Sequence, residues 1–313
     1  MMTESAPTPI AAAGEVVVRL NRVALHRLDA LARPALTPGR EGTGIIEGGL
    51  DRSGKPIPRE ILGRRVAIAP AWSCGTCDRC RQGLSIHCKQ RTQLVETRDG
   101  CLSELVAVPL AATFELPSSV HDDDAALAAV LAAAAHLARA LPATTKPFIT
   151  VLGDNPVALL TALLIGRRRD TVRVLGETPG TATVCEKWGI RHRPSHEAGR
   201  RADQDVVLDV TGTVEGLRLA LQLVRPRGRI LLSHAVGFRA SVVPAEVLEQ
   251  IAHQEVELVG VRGEDFAEAV SLLGSGTIEL APLVGSKIPF EAAPSALNGT
   301  DAQGPLKTIV VMK

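Results

Sequence analysis

Aromatic residues are scarce in this chain of 313 residues: tyrosine is absent, and Phe, Trp and Tyr together make up 2% of the sequence. So few rings do not readily assemble a stacking platform for nucleic-acid bases. An excess of one charge is also missing, because 35 Lys and Arg residues face 34 Asp and Glu residues and leave a formal net charge of +1. Nucleic acid and anionic membranes are therefore disfavoured as partners.

Long apolar runs are missing as well. The longest, residues 125–135, is too short to span a bilayer. The first fifteen residues lack the basic region and the continuous apolar region of a signal peptide. We therefore expect a cytoplasmic protein with no membrane partner. A small-molecule substrate is expected as its partner. Its length suits two moderate domains, each with a core of its own.

The hydrophobic pattern changes twice along the chain. From 14 to about 116, short β-branched runs separated by Gly and Pro predict a β-rich, barrel-like domain. Residues 122–141 are rich in Ala and Leu, begin with three aspartates and end before a proline, which predicts one long helix. From 147 onward, strands alternate with helices, as in a parallel sheet with right-handed crossovers. The apolar tail, 306–312, predicts a strand that returns to the first domain.

Four of the six cysteines lie close together, namely Cys74, Cys77, Cys80 and Cys88. This C-x2-C-x2-C-x7-C spacing favours a metal site over a disulfide framework. Four thiolates complete the tetrahedron of a zinc ion and leave no position for water, so such a zinc is structural. An iron–sulfur cluster also takes four cysteines, and spacing alone does not exclude it. The other two, Cys101 and Cys185, are expected to be small buried hydrophobic residues.

A family resemblance follows from the cysteine segment, 71–88, with the runs 63–67 before it and 99–109 after it. Together they resemble the zinc-containing alcohol dehydrogenases of the medium-chain dehydrogenase/reductase superfamily. The likeness extends from about Gly14 to Lys313, and it favours zinc over iron–sulfur. Residues 205–212 and 223–230 are similar to the fourth and fifth Rossmann strands of that superfamily.

The resemblance implies an α/β fold with two domains. A GroES-like β-rich catalytic domain would cover 1–140, with the zinc lobe at 71–91. A Rossmann domain with a doubly wound parallel sheet would cover 141–282, and 283–313 would return to the catalytic domain. The resemblance also implies a homodimer joined through the Rossmann sheets.

The catalytic zinc position of the family is altered in this chain. The family's first ligand motif aligns with 24–29, which places His26 at the cysteine ligand and Leu28 at the proton-relay hydroxyl. The family's Gly-His-Glu aligns so that Arg40 replaces the histidine and Glu41 is kept. The late ligand is missing. Because two side chains are fewer than the three ligands that a catalytic zinc needs, we expect no catalytic zinc.

The catalytic candidates are therefore His26, Arg40 and Glu41. A fixed cation at Arg40 would repel a zinc ion, and we expect it to pair with Glu41 and, as a further partner, Asp29. The guanidinium either polarises a substrate carbonyl in place of the metal or forms a structural salt bridge, which is the commoner role of such a pair. His26 is either an ordinary hydrogen-bonding residue or an acid or base toward a substrate oxygen.

The turn 153–158 occupies the place of the family's Gly-x-Gly-x-x-Gly. Gly153 keeps the tight turn, but Asn155 replaces the glycine that lets backbone approach a pyrophosphate, and Ala158 replaces the packing glycine. The Asn155 side chain and the charge of Asp154 oppose a diphosphate at the helix N-terminus. We expect binding of a nicotinamide dinucleotide to be weakened.

The end of the second Rossmann strand carries Gly176, where the family has an Asp for the ribose hydroxyls. A glycine resembles members that use NADP(H), yet Glu177 would repel a 2′-phosphate, so the sequence does not choose between NAD(H) and NADP(H). The candidate cofactor contacts are Gly153, Asn155, Pro156, Val157, Gly176 and Glu177.

Two functional hypotheses follow. The first is an NAD(P)-linked oxidoreductase that transfers hydride on a carbonyl, alcohol or activated alkene without a catalytic zinc. The second is a non-catalytic relative that acts as a binding or scaffolding protein. An active zinc alcohol dehydrogenase is a third and weaker hypothesis, because it requires an unforeseen ligand.

Overall fold

The computed structural model describes residues 9–25, 29, 36–142, 147–168, 170–233, 243–298 and 306–312. Contacts divide the chain into two compact units. The first unit is Met1–Ala132 with Phe266–Gln303 and Lys307–Lys313, and the second is Ala133–Asp265 with Gly304–Leu306. The domain boundaries at 140 and 282 remain predictions. Among the described residues, no helix is long and apolar enough to cross a membrane.

The strands of the described chain are, in order, β1 (Glu15–Ala24), β2 (Glu41–Gly49), β3 (Arg65–Ile68), β4 (Ala71–Trp72), β5 (Thr92–Gln93), β6 (Leu105–Pro109), β7 (Thr113–Glu115), β8 (Phe148–Leu152), β9 (Thr171–Leu175), β10 (Arg191–Arg193), β11 (Gln204–Asp209), β12 (Val224–Ser233), β13 (Glu257–Val261), β14 (Val284–Pro289) and β15 (Lys307–Val311). The α-helices are α1 (Asp78–Arg81), α2 (Asp122–Ala125), α3 (Ala128–Arg139), α4 (Pro156–Arg167), α5 (Pro179–Lys187), α6 (Val214–Leu223), α7 (Ala245–His253), α8 (Phe266–Gly274) and α9 (Ala293–Asn298).

The first unit is built on a seven-stranded sheet in the order β14-β15-β1-β2-β3-β7, with β6 also paired to β1. Strand β1 alternates in the way that a strand over a core must: Val16, Val18 and Leu20 are fully buried, while Arg19 between them is exposed. The tail strand β15 pairs antiparallel with β1 and parallel with β14. These two pairings place β15 inside the first sheet.

The second unit contains a six-stranded parallel sheet in the order β10-β9-β8-β11-β12-β13. Numbered within the unit, this order is 3-2-1-4-5-6, which is the order of the Rossmann fold. Strand β8 lies at the point where the order reverses, so its carboxyl end and that of β9 form the edge where such folds bind ligands. The predicted α/β class with a doubly wound sheet is confirmed.

Two elements differ from the sequence-based prediction. The helix expected over 122–141 is divided into α2 and α3, because the chain tightens at Leu127, whose N–H bonds to the carbonyl of Asp124 three residues back. Strand β10 was not predicted. Its Arg-His-Arg sequence carries no apolar residue, and only its parallel pairing with β9 defines it as a strand.

Candidate functional site

The four cysteines of the lobe converge on one point. Their Sγ atoms all lie within 4.8 Å of one another. The Cys77–Cys80 and Cys74–Cys88 pairs are each 3.5 Å apart, and the Cys74–Cys80 and Cys77–Cys88 pairs are each 3.9 Å apart. A zinc tetrahedron with bonds of about 2.3 Å has S–S edges of about 3.8 Å, so these thiols can hold one zinc ion. A cluster of several irons needs more room than the four sulfurs leave.

Local structure shifts the pKa values of these thiols in opposite directions. Hydrogen bonds from the backbone N–H groups of Thr76 and Cys77 lower the pKa of the Cys74 thiol to about 6, whereas burial raises the pKa of Cys80 to about 11. Arg79 donates to the carbonyl of His87 at 2.7 Å, and Arg81 donates to that of Thr76 at 2.8 Å. These two hydrogen bonds join separate segments of the lobe, and the two guanidiniums add positive charge to it.

The other two cysteines do not join the site. Cys101 and Cys185 are fully buried, as predicted. Burial raises the pKa of both thiols, that of Cys185 to about 12. They are therefore neutral packing residues, which makes them useful controls for the four thiols of the lobe.

The partner of Glu41 is a residue that the sequence did not indicate. Glu41 opens β2 opposite Ala24, and β15 flanks β1 on its other side. From β15, the Nζ of Lys307 donates to Oε1 and Oε2 of Glu41 at 2.9 and 2.8 Å, and to the carbonyl of Leu25 at 3.3 Å. Both side chains are buried, with 4% and 6% exposed for Lys307 and Glu41. The carboxylate is thus satisfied within the first unit.

Arg40 does not pair with Glu41, so that expectation was wrong. Its Nη2 instead donates to Oε1 of Glu96 at 3.1 Å, because residues 37–39 bond to 100–102 and carry Arg40 alongside the loop that holds Glu96. The Arg40 side chain is mostly buried, and its Nε has no hydrogen-bond partner among the described residues. The Nε–H of Arg40 is therefore a donor that no described residue uses. His26 and Leu28 lie outside the described residues.

The turn after β8 has a mixed character. Gly153 adopts φ +137°, a backbone conformation that favours glycine, so the tight turn of the dinucleotide motif is kept. Asn155 has φ −102° and acts as the N-cap of α4. Its Oδ1 accepts from the N–H of Ala158 at 3.0 Å, and its Nδ2 donates to the carbonyl of Val210 at 3.0 Å. Since Pro156 has no N–H, the first turn of α4 offers a ligand chiefly the N–H of Val157.

Asp154 lies against the end of β9. Its Oδ2 accepts from the N–H of Glu177 at 2.8 Å, while its Oδ1 accepts from the N–H and hydroxyl of Thr178, both at 3.2 Å, and from the hydroxyl of Thr181 at 2.6 Å. The lack of a side chain at Gly176 makes room for this carboxylate, because a Cβ there would lie 2.3 Å from Asp154 Oδ1. Both residues were noted in the sequence. The sequence did not indicate that the Asp154 carboxylate fills the space left by the missing side chain of Gly176.

The carboxylate of Glu177 pairs with His196. Its carboxylate accepts from the N–H of His196 at 3.2 Å and lies 3.0 Å from Nδ1 of the same residue. Both side chains are exposed. Of the predicted cofactor contacts, Gly153, Asn155, Pro156, Val157, Gly176 and Glu177 all border the carboxyl ends of β8 and β9, and their role as contacts stays a prediction.

The sequence of the chain is similar to that of known dehydrogenases. Residues 12–118 match the alcohol dehydrogenase GroES-like domain. The chain is 25% identical over 277 residues to 2-dehydro-3-deoxy-L-galactonate 5-dehydrogenase of Pseudoalteromonas atlantica, covering 85% of this chain and 79% of that protein. It is 25% identical over 281 residues to sorbitol dehydrogenase of Arabidopsis thaliana, covering 84% and 75%.

A solved structure shows the same fold over almost the whole chain. An alcohol dehydrogenase from Escherichia coli CFT073, in complex with NADH, superposes with a TM-score of 0.86 at 20% identity, covering 98% of this chain and 94% of that one. The domain match, the two dehydrogenase relatives and this superposition agree with the cysteine lobe and the Rossmann strand order. Residues 12–118 therefore belong to the alcohol dehydrogenase GroES-like domain family, and over most of its length the chain is similar to medium-chain dehydrogenases.

Proposed function

We propose that this protein is an oxidoreductase that transfers hydride between a nicotinamide dinucleotide and a carbonyl or alcohol without a catalytic zinc. The observation that carries the proposal is the ion pair of Glu41 and Lys307. A carboxylate that the superfamily places beside its catalytic metal here binds an ammonium through both oxygens, and Arg40 adds a second cation at the neighbouring position. With both of its oxygens bound to the ammonium, the Glu41 carboxylate is not free to serve as a metal ligand.

The cofactor would be held by the second unit. Gly153 supplies the turn, and the N–H of Val157 supplies a donor at the positive end of α4 for a phosphate oxygen. When bound, the dinucleotide supplies or accepts the hydride. Asn155 already occupies one helix N-terminal donor, so we expect weak binding of the pyrophosphate.

The substrate would be held by the first unit. Arg40 would hydrogen-bond to the substrate oxygen and stabilise the negative charge that develops there as hydride arrives, which is the task of the metal in zinc-dependent relatives. His26 is proposed to exchange the proton of that oxygen. Because the relatives named above are dehydrogenases of a sugar acid and of sorbitol, we propose a small hydroxylated compound or its carbonyl form as substrate.

The cysteine lobe is proposed to hold one structural zinc. All four positions of the tetrahedron are filled by Cys74, Cys77, Cys80 and Cys88, so the ion would shape the lobe and offer no site for chemistry. A homodimer and a cytoplasmic location, both implied at the level of sequence, stay predictions.

A second candidate function is a non-catalytic binding or scaffolding protein. The capping of α4 by Asn155 favours it, since a ligand phosphate must compete with a side chain that already satisfies Ala158. This candidate predicts one zinc per chain and no dinucleotide binding.

One experiment separates these functions. Purified protein is analysed for zinc by mass spectrometry and titrated with NADH and NADPH by fluorescence, and hydride transfer to a panel of ketoses and aldehydes is followed by absorbance. One zinc with nucleotide binding and turnover supports the oxidoreductase. One zinc without binding at millimolar nucleotide supports the scaffold. Two zinc ions per chain would overturn the proposal of a zinc-independent enzyme.

A further inference from the structure

The carboxylate of Asp154 occupies a place where a bound anion would be well satisfied. Four donors converge on it: two backbone N–H groups, from Glu177 and Thr178, and the hydroxyls of Thr178 and Thr181. Backbone N–H groups and hydroxyls ahead of a helix are the donors that bind phosphate oxygens in proteins. In this chain they are engaged by an internal carboxylate.

The position of that carboxylate is defined by Gly176. Strands β8 and β9 are parallel neighbours, with Leu152 opposite Leu175, so the residues that follow each strand meet at one edge. A Cβ on Gly176 would lie 2.3 Å from Oδ1 and 2.9 Å from Cγ of Asp154. The carboxylate of Asp154 therefore lies where a side chain from the end of β9 would begin.

The two oxygens of Asp154 are used unequally. Oδ1 accepts three hydrogen bonds, which exceeds its two lone pairs in the usual count, while Oδ2 accepts one, from Glu177. Asp154 is only partly buried. Oδ2 thus keeps an acceptor position that a ligand hydroxyl can reach, and the local charge is negative, since Glu177 follows directly after Gly176.

We propose that Asp154 determines cofactor specificity, accepting a ribose hydroxyl of NAD(H) through Oδ2 and excluding the 2′-phosphate of NADP(H). The proposal rests on the proposed function, because it concerns the dinucleotide of that same site. Asp154, in the turn after β8, would thus accept the ribose hydroxyl that a side chain at position 176, at the end of β9, would otherwise accept. A 2′-phosphate would have to displace the carboxylate from its four donors and would meet like charge.

The test compares Asp154→Gly with the wild type, using NADH and NADPH for the whole cofactor and 2′-AMP and 5′-AMP for the adenosine end alone. Asp154→Gly removes the carboxylate and leaves the four donors to an incoming phosphate. We expect the wild type to prefer NADH, and the ratio of NADPH to NADH affinity to rise about 100-fold in the variant, from lost repulsion and gained charge-assisted bonds. The affinity for 2′-AMP relative to 5′-AMP should rise in parallel.

The charge-matched control is Asp205→Asn, set beside Asp154→Asn. Asp205 lies near the start of β11, at the amino-terminal end of the strands, whereas Asp154 follows the carboxyl end of β8. The Asp205 carboxylate accepts hydrogen bonds from Arg225 and from the N–H of Phe148. Both variants remove one negative charge, but only Asp154→Asn should change the nucleotide ratio. Asp154→Asn also serves if the glycine variant does not fold, because its amide keeps the shape of the carboxylate.

The outcomes separate this inference from the proposed function. A wild type that binds NADPH as well as NADH, or a ratio that moves equally in the Asp205 control, overturns the role of Asp154. If no variant binds either dinucleotide, the oxidoreductase proposal fails, and the mononucleotides then decide the inference. A gain of 2′-AMP over 5′-AMP on removing the Asp154 carboxylate supports it, and no gain overturns it.

Discussion

Lys307 donates hydrogen bonds to both carboxylate oxygens of Glu41, although the two residues lie 266 positions apart in the chain. Burial raises the pKa of Glu41, and the ammonium of Lys307 opposes that shift. Both carboxylate oxygens of Glu41 are therefore engaged by a cation of the protein itself. The ion pair also joins β2 to β15 within the first unit.

Removing the ammonium should destabilise the protein strongly. We expect Lys307→Met to lower the free energy of unfolding by about 3–5 kcal/mol, because it leaves the Glu41 carboxylate buried without its counter-charge. Urea unfolding followed by circular dichroism measures this loss. Lys287→Met is the matched control on the neighbouring strand β14: its ion pair with Asp123 is exposed, so we expect a loss below about 1 kcal/mol.

A second variant distinguishes charge from packing. Glu41→Gln combined with Lys307→Met removes the unpaired charge, and we expect it to recover part of the stability that Lys307→Met loses. Equal losses for the single variants at Lys307 and Lys287 would contradict the buried pair as a main source of stability.

Metal analysis should find one zinc per chain, held by the lobe. We expect Cys77→Ser with Cys80→Ser to reduce the zinc content to zero, because two thiolates do not complete the tetrahedron. Cys185→Ser, which changes a buried neutral thiol, should leave the content at one. Zinc that persists in the double variant would place the ion elsewhere in the molecule.

The cap of α4 should oppose cofactor binding. We expect Asn155→Ala to lower the free energy of unfolding by about 1 kcal/mol and Asn155→Gly to lower it by only about a few tenths of a kcal/mol, because glycine is itself tolerated as an N-cap residue. Because both free the N–H of Ala158, and only glycine lets backbone approach a pyrophosphate, Asn155→Gly should bind NADH about tenfold more tightly than the wild type. Fluorescence titration measures this affinity, and weaker binding in the glycine variant would identify Asn155 as a cofactor ligand instead.

Asp209 should make the stability depend on pH. Its Oδ1 accepts from the N–H and hydroxyl of Thr211, its Oδ2 has no partner among the described residues, and burial raises its pKa. A raised carboxyl pKa contributes stability that is present at low pH and is lost as pH rises through the folded-state value. The unfolding free energy of Asp209→Asn, relative to the wild type, should therefore rise as the pH increases above the ordinary carboxyl pKa of about 4.

Asp51 provides the control of opposite sign. A hydrogen bond from Ser53 lowers the pKa of Asp51, so its contribution is present at neutral pH and is lost as pH falls. For Asp51→Asn, the unfolding free energy relative to the wild type should fall as pH rises. If both variants change in the same direction, the assigned pKa shift of Asp209 is wrong.

The parts of this protein that could be predicted are those whose cause is local. Alternating buried valines define β1, and the four cysteines lie within one short segment, so both were read directly from the sequence. The Lys307–Glu41 pair and the Arg40–Glu96 pair depend on which strands become neighbours, and no short-range pattern encodes that. The same holds for Asp154, whose role depends on the space left by a glycine on the adjacent strand.

Because of strand β15, the two units are completed at different times during synthesis. The second sheet has all its strands within Ala133–Asp265, so it can be completed while the rest of the chain is still being made. The first sheet begins at Glu15 but needs Lys307 to neutralise Glu41 and β15 to lie between β1 and β14. The unit that starts first in sequence is therefore completed later than the second sheet, once Lys307–Val311 have left the ribosome.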